Sequence, residues 1–195
     1  MQGHPMGGSF GPGGMGGLGG FPQQQQRPAP RRYDAIPNGT TVSLKGLVGN
    51  PERNGDRGQV VGYDASADRY VVAVEDSEER LRVKPTNLLQ HVHVNLQGIE
   101  SQPVLNGMQG TIIAYNDQKH RYSIYVMQAK KVVSLKPSNV ILENGTVAKI
   151  VGLSGKPELN NKFGTIKAWI KDSNRYDVQL SEKQIVRIKV DNVRV

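Results

Sequence analysis

The chain has 195 residues, a net charge of +8 at neutral pH and no cysteine. Without cysteine it can form neither disulfides nor a thiolate metal site, and thiol redox chemistry is excluded. No apolar run approaches the roughly 18 to 20 residues that a membrane-spanning helix needs, and the N-terminus lacks the pattern of a secretory signal. We therefore expect no membrane partner and a cytoplasmic or nuclear protein.

Residues 1–37 differ in composition from the rest of the chain. Residues 1–36 contain ten glycines, five prolines and five glutamines, with no periodicity that could bury a hydrophobic face. Such a composition predicts a disordered, low-complexity tail. Two roles fit it: a flexible solubilising extension, or a segment that self-associates weakly through its isolated aromatic residues and its glutamine tract.

The remainder of the chain is a threefold repeat of about 52 residues. The copies, called modules 1, 2 and 3, cover residues 38–90, 91–143 and 144–195. They align through Gly58, Gly110 and Gly164, through Arg-Tyr pairs at 69–70, 121–122 and 175–176, and through Asn87, Asn139 and Asn192. A period of this length indicates one small structural unit used three times. Because such units are near the lower size limit for an independent core, we expect neighbours to pack into a semi-rigid rod or arc.

Within each module the hydrophobic residues alternate with a period of two. In module 1 the alternating residues are Val42 and Leu44, then Val60, then Tyr70, Val72 and Val74, and finally Leu81 and Val83. An Asn-Gly turn follows the first run, and a short apolar run follows Asn87. Five short strands in about 50 residues predict an all-β fold of three tandem, small SH3-like barrels.

The first half of the repeat resembles the KOW motif of ribosomal proteins and transcription elongation factors, and more loosely the Tudor domain. The resemblance is carried by Val42-x-Leu44-x-Gly46 and Asn54-Gly55-x-x-Gly58-x-Val60. In KOW proteins the loop after the first strand commonly contacts RNA or protein. The resemblance therefore implies contacts through residues 48–57, 100–109 and 154–163.

The basic residues are unevenly distributed among the modules. Module 1 has seven basic and eight acidic residues, module 2 has five and three, and module 3 has ten and five. A basic surface favours a polyanion such as RNA, so module 3 is the strongest candidate for binding it. The acidic balance of module 1 favours the alternative, a scaffold whose modules bind peptides or protein subunits.

Two cations recur in every module and are the first candidates for phosphate contacts. They are the arginine at the head of the third strand (Arg69, Arg121 and Arg175) and the lysine at the end of the fourth (Lys84, Lys136 and Lys189). Module 3 adds Lys162, Lys167 and Lys171. Alternatively, the arginines pair with nearby acids such as Asp64 and Asp68, and the lysine stems cover apolar surface.

Three aromatic residues follow the second strand in equivalent positions: Tyr63, Tyr115 and Trp169. Strict alternation predicts that they point to the outer face of the sheet. There they could stack on a base or receive a peptide. Packing against a neighbouring module or against the long loop is the alternative.

The sequence contains no constellation typical of catalysis or of a cofactor site. His91 and His93 alternate on one face without a further ligand close in sequence, and the acidic turn at residues 75–79 lacks the spacing of a cation loop. No P-loop, nucleophile elbow or dinucleotide fingerprint appears. We therefore predict a non-catalytic binding protein without metal or cofactor, with RNA or a ribonucleoprotein complex as its favoured partner.

Overall fold

The structure is a computed structural model that describes residues 32–195, and these residues form one compact unit. They contain three antiparallel five-stranded sheets and no α-helix. This confirms the predicted all-β fold of three small barrel-like modules. Of the tail predicted as disordered and self-associating over residues 1–37, residues 1–31 lie outside the described residues.

The strands occupy equivalent positions in the three modules. In module 1 they are β1 (Thr41–Leu44), β2 (Arg57–Asp64), β3 (Arg69–Val74), β4 (Arg80–Val83) and β5 (Leu88–Gln90). In module 2 they are β6 (His93–Leu96), β7 (Gln109–Asn116), β8 (Arg121–Val126), β9 (Lys131–Leu135) and β10 (Val140–Leu142). In module 3 they are β11 (Val147–Ile150), β12 (Phe163–Ile170), β13 (Arg175–Ser181), β14 (Gln184–Lys189) and β15 (Val193–Arg194).

Short 3-10 turns recur between these strands. One lies in the loop after the first strand of each module, at Pro51–Arg53, Pro103–Leu105 and Pro157–Leu159. Another precedes the last strand, at Pro85–Asn87, Pro137–Asn139 and Val190–Asn192. Module 3 has one more, Lys171–Ser173, between β12 and β13.

Each sheet has the same strand order. In module 1 the order is β4-β3-β2-β1-β5, and modules 2 and 3 repeat it. The first strand pairs with the second on one side and with the last on the other, which brings the two ends of the module together. The predicted hairpin of the second and third strands is present in all three modules.

The inward-facing residues are those that the period-two pattern predicts. Val42, Leu44 and Val60 are almost completely buried, and so is Tyr70. The equivalent buried residues are Val94, Leu96, Ile112 and Tyr122 in module 2, and Ala148, Ile150, Ile166 and Tyr176 in module 3. The three tyrosines are the largest of the fully buried side chains, so each barrel is filled around one aromatic ring.

The repeated glycine of the second strand is required by the close approach of the third strand. A Cβ atom at Gly58 would lie 2.7 Å from Cγ1 of Val72, and one at Gly110 would lie 2.5 Å from Cγ2 of Ile124. Such distances are too short for carbon atoms, so a side chain here would push the two strands apart.

A β-bulge interrupts the second strand of every module. The register of β2 against β3 shifts by one residue between Val60 and Gly62, and the same shift occurs at 112–114 and at 166–168. A bulge adds one residue to one strand, so the side chains that follow it point to the opposite face from the one that strict alternation predicts.

Modules that are not neighbours in sequence also pack on each other. Modules 2 and 3 share one hydrophobic core, whereas the core of module 1 also includes Ile36 and Val147. The side chain of Gln90 in module 1 donates a hydrogen bond of 2.6 Å to the carbonyl oxygen of Val147 in module 3. Modules 1 and 3 therefore touch although module 2 separates them in sequence, which differs from the predicted rod or arc.

The last residues assigned to the tail take part in this packing. Ile36 is buried, and its N–H donates to the hydroxyl oxygen of Tyr70 at 2.9 Å. The hydroxyl of Thr165 in module 3 donates to the carbonyl oxygen of Tyr33 at 2.7 Å. Residues 33–36 therefore contact both module 1 and module 3 and help to join them.

We expect Gly58→Ala to destabilise the protein by about 1–3 kcal/mol, because the added methyl group overpacks β2 against β3. Gly62→Ala is the matched control, since its Cβ would have no atom closer than 4.0 Å and modules 2 and 3 carry Ala114 and Ala168 there. The control should be neutral or stabilising by about 0.4–1 kcal/mol. Urea denaturation measures both free energies of unfolding, and equal destabilisation by the two substitutions would contradict the close-approach explanation.

Candidate functional site

The two recurrent cations of each module lie close together at one end of the sheet. In module 3, Arg175 on β13 is the direct cross-strand partner of Lys189 on β14. Neither side chain has an ion pair or a hydrogen bond within residues 32–195. Because directly opposed like charges repel each other, an anion bound between them would be stabilising.

In module 2 the corresponding cations line an open groove of about 700 Å³ between residues 98–102 and β9. Arg121 and Lys136 lie on its wall together with Lys131. Arg121 donates from Nη1 to the carbonyl oxygen of Ser134 at 3.1 Å, which holds its guanidinium beside β9, an edge strand of the sheet. This module 2 groove therefore presents three cations along one strand.

Two asparagines fix the loop that forms the other wall of this groove. Nδ2 of Asn139 donates to the carbonyl oxygens of Gln97 and Gly98, at 3.0 and 2.8 Å. Oδ1 of Asn106 accepts from the N–H of Ile99 at 2.8 Å, and its Nδ2 donates back to the carbonyl oxygen at 3.0 Å. The wall is therefore a preorganised surface, because both ends of the loop are tied to the barrel.

The same asparagine pair occurs in the other modules. Asn87 and Asn54 make the corresponding bonds in module 1, and Asn192 and Asn160 make them in module 3. In the predicted Asn-Gly turn, only the second residue has a positive φ, with Gly55 at 102° and Asn54 at −67°. The asparagine is therefore needed for its side-chain hydrogen bonds.

Most arginines of module 1 are neutralised by carboxylates. The ion pairs join Arg53 to Asp56 and Glu79, Arg57 to Glu75, and Arg82 to Asp64. Hydrogen bonds from Ser66 and from the Ala67 N–H hold the pKa of the Asp64 carboxyl below its usual range. Asp64 is therefore the ion-pair partner of Arg82, and the predicted alternative in which Asp64 pairs with Arg69 is wrong. Arg69 has no ion pair in the described part of the chain.

In module 3 the positive charge is mostly unpaired. Arg187 forms a two-point ion pair with Asp177, at 2.7 and 2.9 Å, and this pairing lowers the pKa of the carboxyl. Within residues 32–195, the exposed lysines of module 3 have no ion pair: Lys156, Lys162, Lys167, Lys171, Lys183 and Lys189. These groups are free to contact phosphate.

The three additional lysines predicted as site residues lie at different places on module 3. Lys162 directly precedes β12 and lines a cavity of about 400 Å³ between modules 1 and 3. Lys167 is the extra residue of the β12 bulge, and Lys171 begins the 3-10 turn before β13. All three are exposed, so they broaden the positive field of the module around the Arg175 and Lys189 pair.

The predicted outer-face position of the strand-two aromatic residues is wrong, because the bulge reverses the alternation. Tyr63 is the cross-strand partner of the buried Tyr70, and the two ring centroids are 4.7 Å apart. The same pairing joins Tyr115 to Tyr122, at 4.9 Å, and places Trp169 opposite Tyr176. Nothing in the alternation of the sequence marks the extra residue, so the reversal could not be read from the pattern.

Each of these aromatic pairs is covered by a segment of the same chain. The hydroxyl oxygen of Tyr70 accepts from the N–H of Ile36, that of Tyr122 from Val195 at 3.1 Å, and that of Tyr176 from Leu142 at 2.9 Å. The guanidinium of Arg32 also lies 4.6 Å from the centroid of the Tyr63 ring. The aromatic pairs therefore take part in internal assembly, and the stacking role of Tyr63 and Tyr115 stays a prediction.

Trp169 is half-buried and packs against the core that modules 2 and 3 share, and its indole Nε1 is buried without a hydrogen-bond partner in the described residues. The adjacent turn also contacts module 2, since Nε2 of Gln97 lies 3.3 Å from Oδ1 of Asn174. Trp169 therefore takes part in internal packing, and the stacking role predicted for it stays a prediction.

The histidines and the acidic turn have local partners. Nε2 of His91 lies 2.7 Å from the hydroxyl oxygen of Ser43, and burial lowers the pKa of this imidazole. Nδ1 of His93 lies 3.2 Å from the hydroxyl oxygen of Thr111. Within residues 32–195 no group of three His, Cys, Asp or Glu side chains is arranged to hold a metal ion. The described residues also include no helix of the length and hydrophobicity needed to span a membrane.

Comparison with known proteins gives no match in sequence. No protein-family model matches the chain, and no curated protein does. The functional proposal therefore rests on the repeated geometry of the three modules and on the distribution of their charges.

We expect the stability of the protein to fall above about pH 10, where a tyrosine of the unfolded chain ionises. Burial raises the pKa of Tyr122 to about 12 in the folded protein. Between these two values the unfolded chain releases the proton and the folded chain keeps it. Rising pH then favours unfolding by about 1.4 kcal/mol per pH unit for this residue.

Tyr122→Phe tests this linkage. At neutral pH the substitution leaves the Val195 N–H without its acceptor, which should cost about 1–3 kcal/mol. Above about pH 10 the difference from the wild type should shrink, because the variant has no phenol to ionise at this position. Urea denaturation across a pH series measures the difference, with the exposed Tyr125→Phe as control. A difference that stays constant with pH would show that Tyr122 is not the linked group.

Proposed function

We propose that this is a non-catalytic RNA-binding protein built from KOW-like modules, which holds phosphate groups of RNA or of a ribonucleoprotein complex between its recurrent arginines and lysines. The cross-strand pairing of Arg175 with Lys189, with no carboxylate partner for either in the described residues, carries the proposal. The arginine supplies a planar fork that matches two phosphate oxygens, and the lysine supplies a point charge beside it.

The occupied aromatic pairs favour contacts with the phosphate backbone over stacking on bases. Tyr63, Tyr115 and Trp169 pack on other parts of the protein, whereas Lys189 is exposed and Arg175 is half-buried with no partner in the described residues. Contacts to phosphate position a nucleic acid but carry no base information. We therefore expect binding with weak sequence preference and strong dependence on salt.

Module 3 is proposed as the main contact because its charges are free. Module 1 has seven basic and eight acidic residues, and three of its arginines form ion pairs with carboxylates. The module 2 groove, with Arg121 and Lys136, offers a second and weaker site. Because the modules form one compact unit, an RNA that reaches two of them gains from both contacts without further ordering of the protein.

Salt titration of RNA binding provides the experiment. Fluorescence anisotropy with a labelled oligouridylate and the full chain gives the slope of log K against log salt concentration. Lys189→Gln should weaken binding and reduce this slope by about 0.7, the value for one single-strand phosphate contact. Arg175→Gln should do the same, and the double variant should lose more.

Arg187→Gln is the matched control for these variants. It removes the same formal charge from the same strand as Lys189→Gln, but its guanidinium is already held by Asp177. The slope should therefore stay close to that of the wild type. If Arg187→Gln and Lys189→Gln changed the slope equally, net charge rather than a specific phosphate contact would explain the effect. Binding that does not depend on salt would refute the proposal.

One feature of module 2 favours a second function, that of a protein adaptor. Tyr125 and Val132 are cross-strand partners on the outer face of the sheet and are 38% and 55% exposed, and Met127 in the following turn is 73% exposed. In module 3 the equivalent pair is Gln179, which is buried, and Ile185, which is 56% exposed. Module 2 is therefore the one of the two in which both members of the pair are exposed and apolar, and neighbouring exposed apolar side chains are typical of a protein interaction surface.

Affinity capture with and without nuclease separates the two functions. The adaptor function predicts that captured proteins persist after nuclease treatment and are lost with Val132→Asp, a change at an exposed side chain that should leave the fold intact. The RNA-binding function predicts that nuclease treatment removes the captured proteins. Before that treatment, the Val132→Asp variant should capture the same proteins as the wild type. Direct partners unaffected by Val132→Asp would exclude this surface as the adaptor site.

A further inference from the structure

Residues of all three modules line a half-open cavity at their junction. It has a volume of about 510 Å³, within the range of about 300–1,000 Å³ that is typical of small-molecule sites. Module 1 contributes Lys45 and Leu88, module 2 contributes Tyr115 and Asp117, and module 3 contributes Lys149, Phe163 and Arg194. This junction cavity is separate from the module 2 groove and from the Arg175 and Lys189 pair.

Two lysines from different modules line this cavity without a direct partner. Lys45 follows β1 and Lys149 lies on β11, and both are half-buried. Neither ammonium group has a hydrogen bond or an ion pair within residues 32–195. Two partly desolvated positive charges from facing modules are costly unless an anion compensates them.

Charges from both facing modules act on Lys45. Its pKa is lowered chiefly by burial, Asp117 of module 2 raises it by the larger of the two charge effects, and Lys149 of module 3 lowers it. The other titratable groups that line the cavity are Tyr115 and His120 of module 2 and Asp191 and Arg194 of module 3. Arg194 donates to the backbone carbonyl oxygens of Asp191 and Val193, at 2.8 Å in each case, so its guanidinium is partly occupied.

The remaining walls of the cavity are apolar. Ile36 and Leu88 are buried members of the module 1 core, and Phe163 packs against that core from module 3. A cavity with apolar walls and a few converging polar groups is the usual form of a site for a small organic molecule. The apolar walls distinguish it from the open, polar groove that we assign to RNA.

We propose that the junction cavity binds a small organic anion, whose carboxylate lies between the ammonium groups of Lys45 and Lys149 and whose apolar body lies against Ile36, Leu88 and Phe163. Such a ligand contacts module 1 and module 3 at once. It therefore stabilises the folded arrangement of the modules in proportion to its concentration over its dissociation constant.

Isothermal titration calorimetry of the full chain tests the site with three probes. Octanoate carries both the carboxylate and an apolar body, octan-1-ol has the apolar body alone, and acetate has the carboxylate alone. We expect saturable binding of octanoate at one site and much weaker binding of the other two. Equal binding of octanoate and octan-1-ol would overturn the role of the lysines, and no saturable octanoate binding would overturn the site.

Lysine-to-methionine variants locate the site, because methionine keeps an apolar chain of similar length and removes the charge. Lys45→Met and Lys149→Met should each weaken octanoate binding by about tenfold or more. Lys130→Met is the control, since Lys130 is exposed in the turn between β8 and β9 and does not line the cavity. Circular dichroism checks that each variant is folded. Identical affinities in all three variants would place octanoate elsewhere.

The pH dependence of binding gives an independent measurement. A carboxylate beside Lys45 stabilises its ammonium form, so octanoate binding should take up protons as the pH approaches the lysine range of about 10, and its affinity should fall as pH rises through that range. Calorimetry at alkaline pH in buffers of different ionisation enthalpy measures the proton uptake. The uptake should fall in Lys45→Met and stay unchanged in Lys130→Met. Unchanged proton uptake in Lys45→Met would show that the anion does not lie beside this lysine.

Discussion

The arrangement of the modules depends on a buried tyrosine hydroxyl that needs a partner from outside its own barrel. In each module the strands bury the tyrosine that is the second residue of the third strand. The hydrogen-bond partner of its hydroxyl lies outside the strands of that module. An unpaired polar group in a core costs about 1–3 kcal/mol, so the segment that supplies the partner is held in place. This requirement converts three marginal barrels into one compact unit.

Modules 2 and 3 meet this requirement reciprocally. Leu142 of module 2 donates its N–H to Tyr176 of module 3, and Val195, the equivalent residue of module 3, donates to Tyr122 of module 2. The 3-10 turns before the two last strands also contact each other, as expected when equivalent surfaces meet about a local two-fold axis.

Module 1 takes no part in this exchange, and the contacts around it differ. Ile36 supplies the N–H to Tyr70, while Gln90, at the position equivalent to Leu142, bonds to Val147 of module 3 instead. The three copies therefore have the same fold in three different environments. The junction cavity is a product of this asymmetry, because residues from all three modules line it without filling it.

The sequence predicts the fold well because the signals for strands and turns lie close together along the chain. It predicts the site less well because the contacts that decide which side chains are free join residues far apart in the sequence. Alternation identifies the inner residues, and the repeat marks Gly58, where the structure shows the close approach of Val72. The bulge leaves no mark on the alternation, so strict alternation assigns Tyr63 to the wrong face. The partner of Asp64 could not be predicted either, since Arg69 and Arg82 are both near enough in sequence and only the sheet geometry selects Arg82.

The same asymmetry determines which side chains remain for binding. The aromatic residue of the second strand packs inside the protein in every module, and carboxylates neutralise most arginines of module 1, so free charge is concentrated in module 3. Unpaired cations at the cross-strand position of Arg175 and Lys189 cost stability in the free protein, and that cost is recovered when an anion binds. Because the surrounding unit is already ordered by its tyrosine contacts, little of the binding energy is spent on ordering the protein. A scaffold that fixes its modules through buried hydroxyls can therefore leave its surface charges uncompensated and ready for a polyanion.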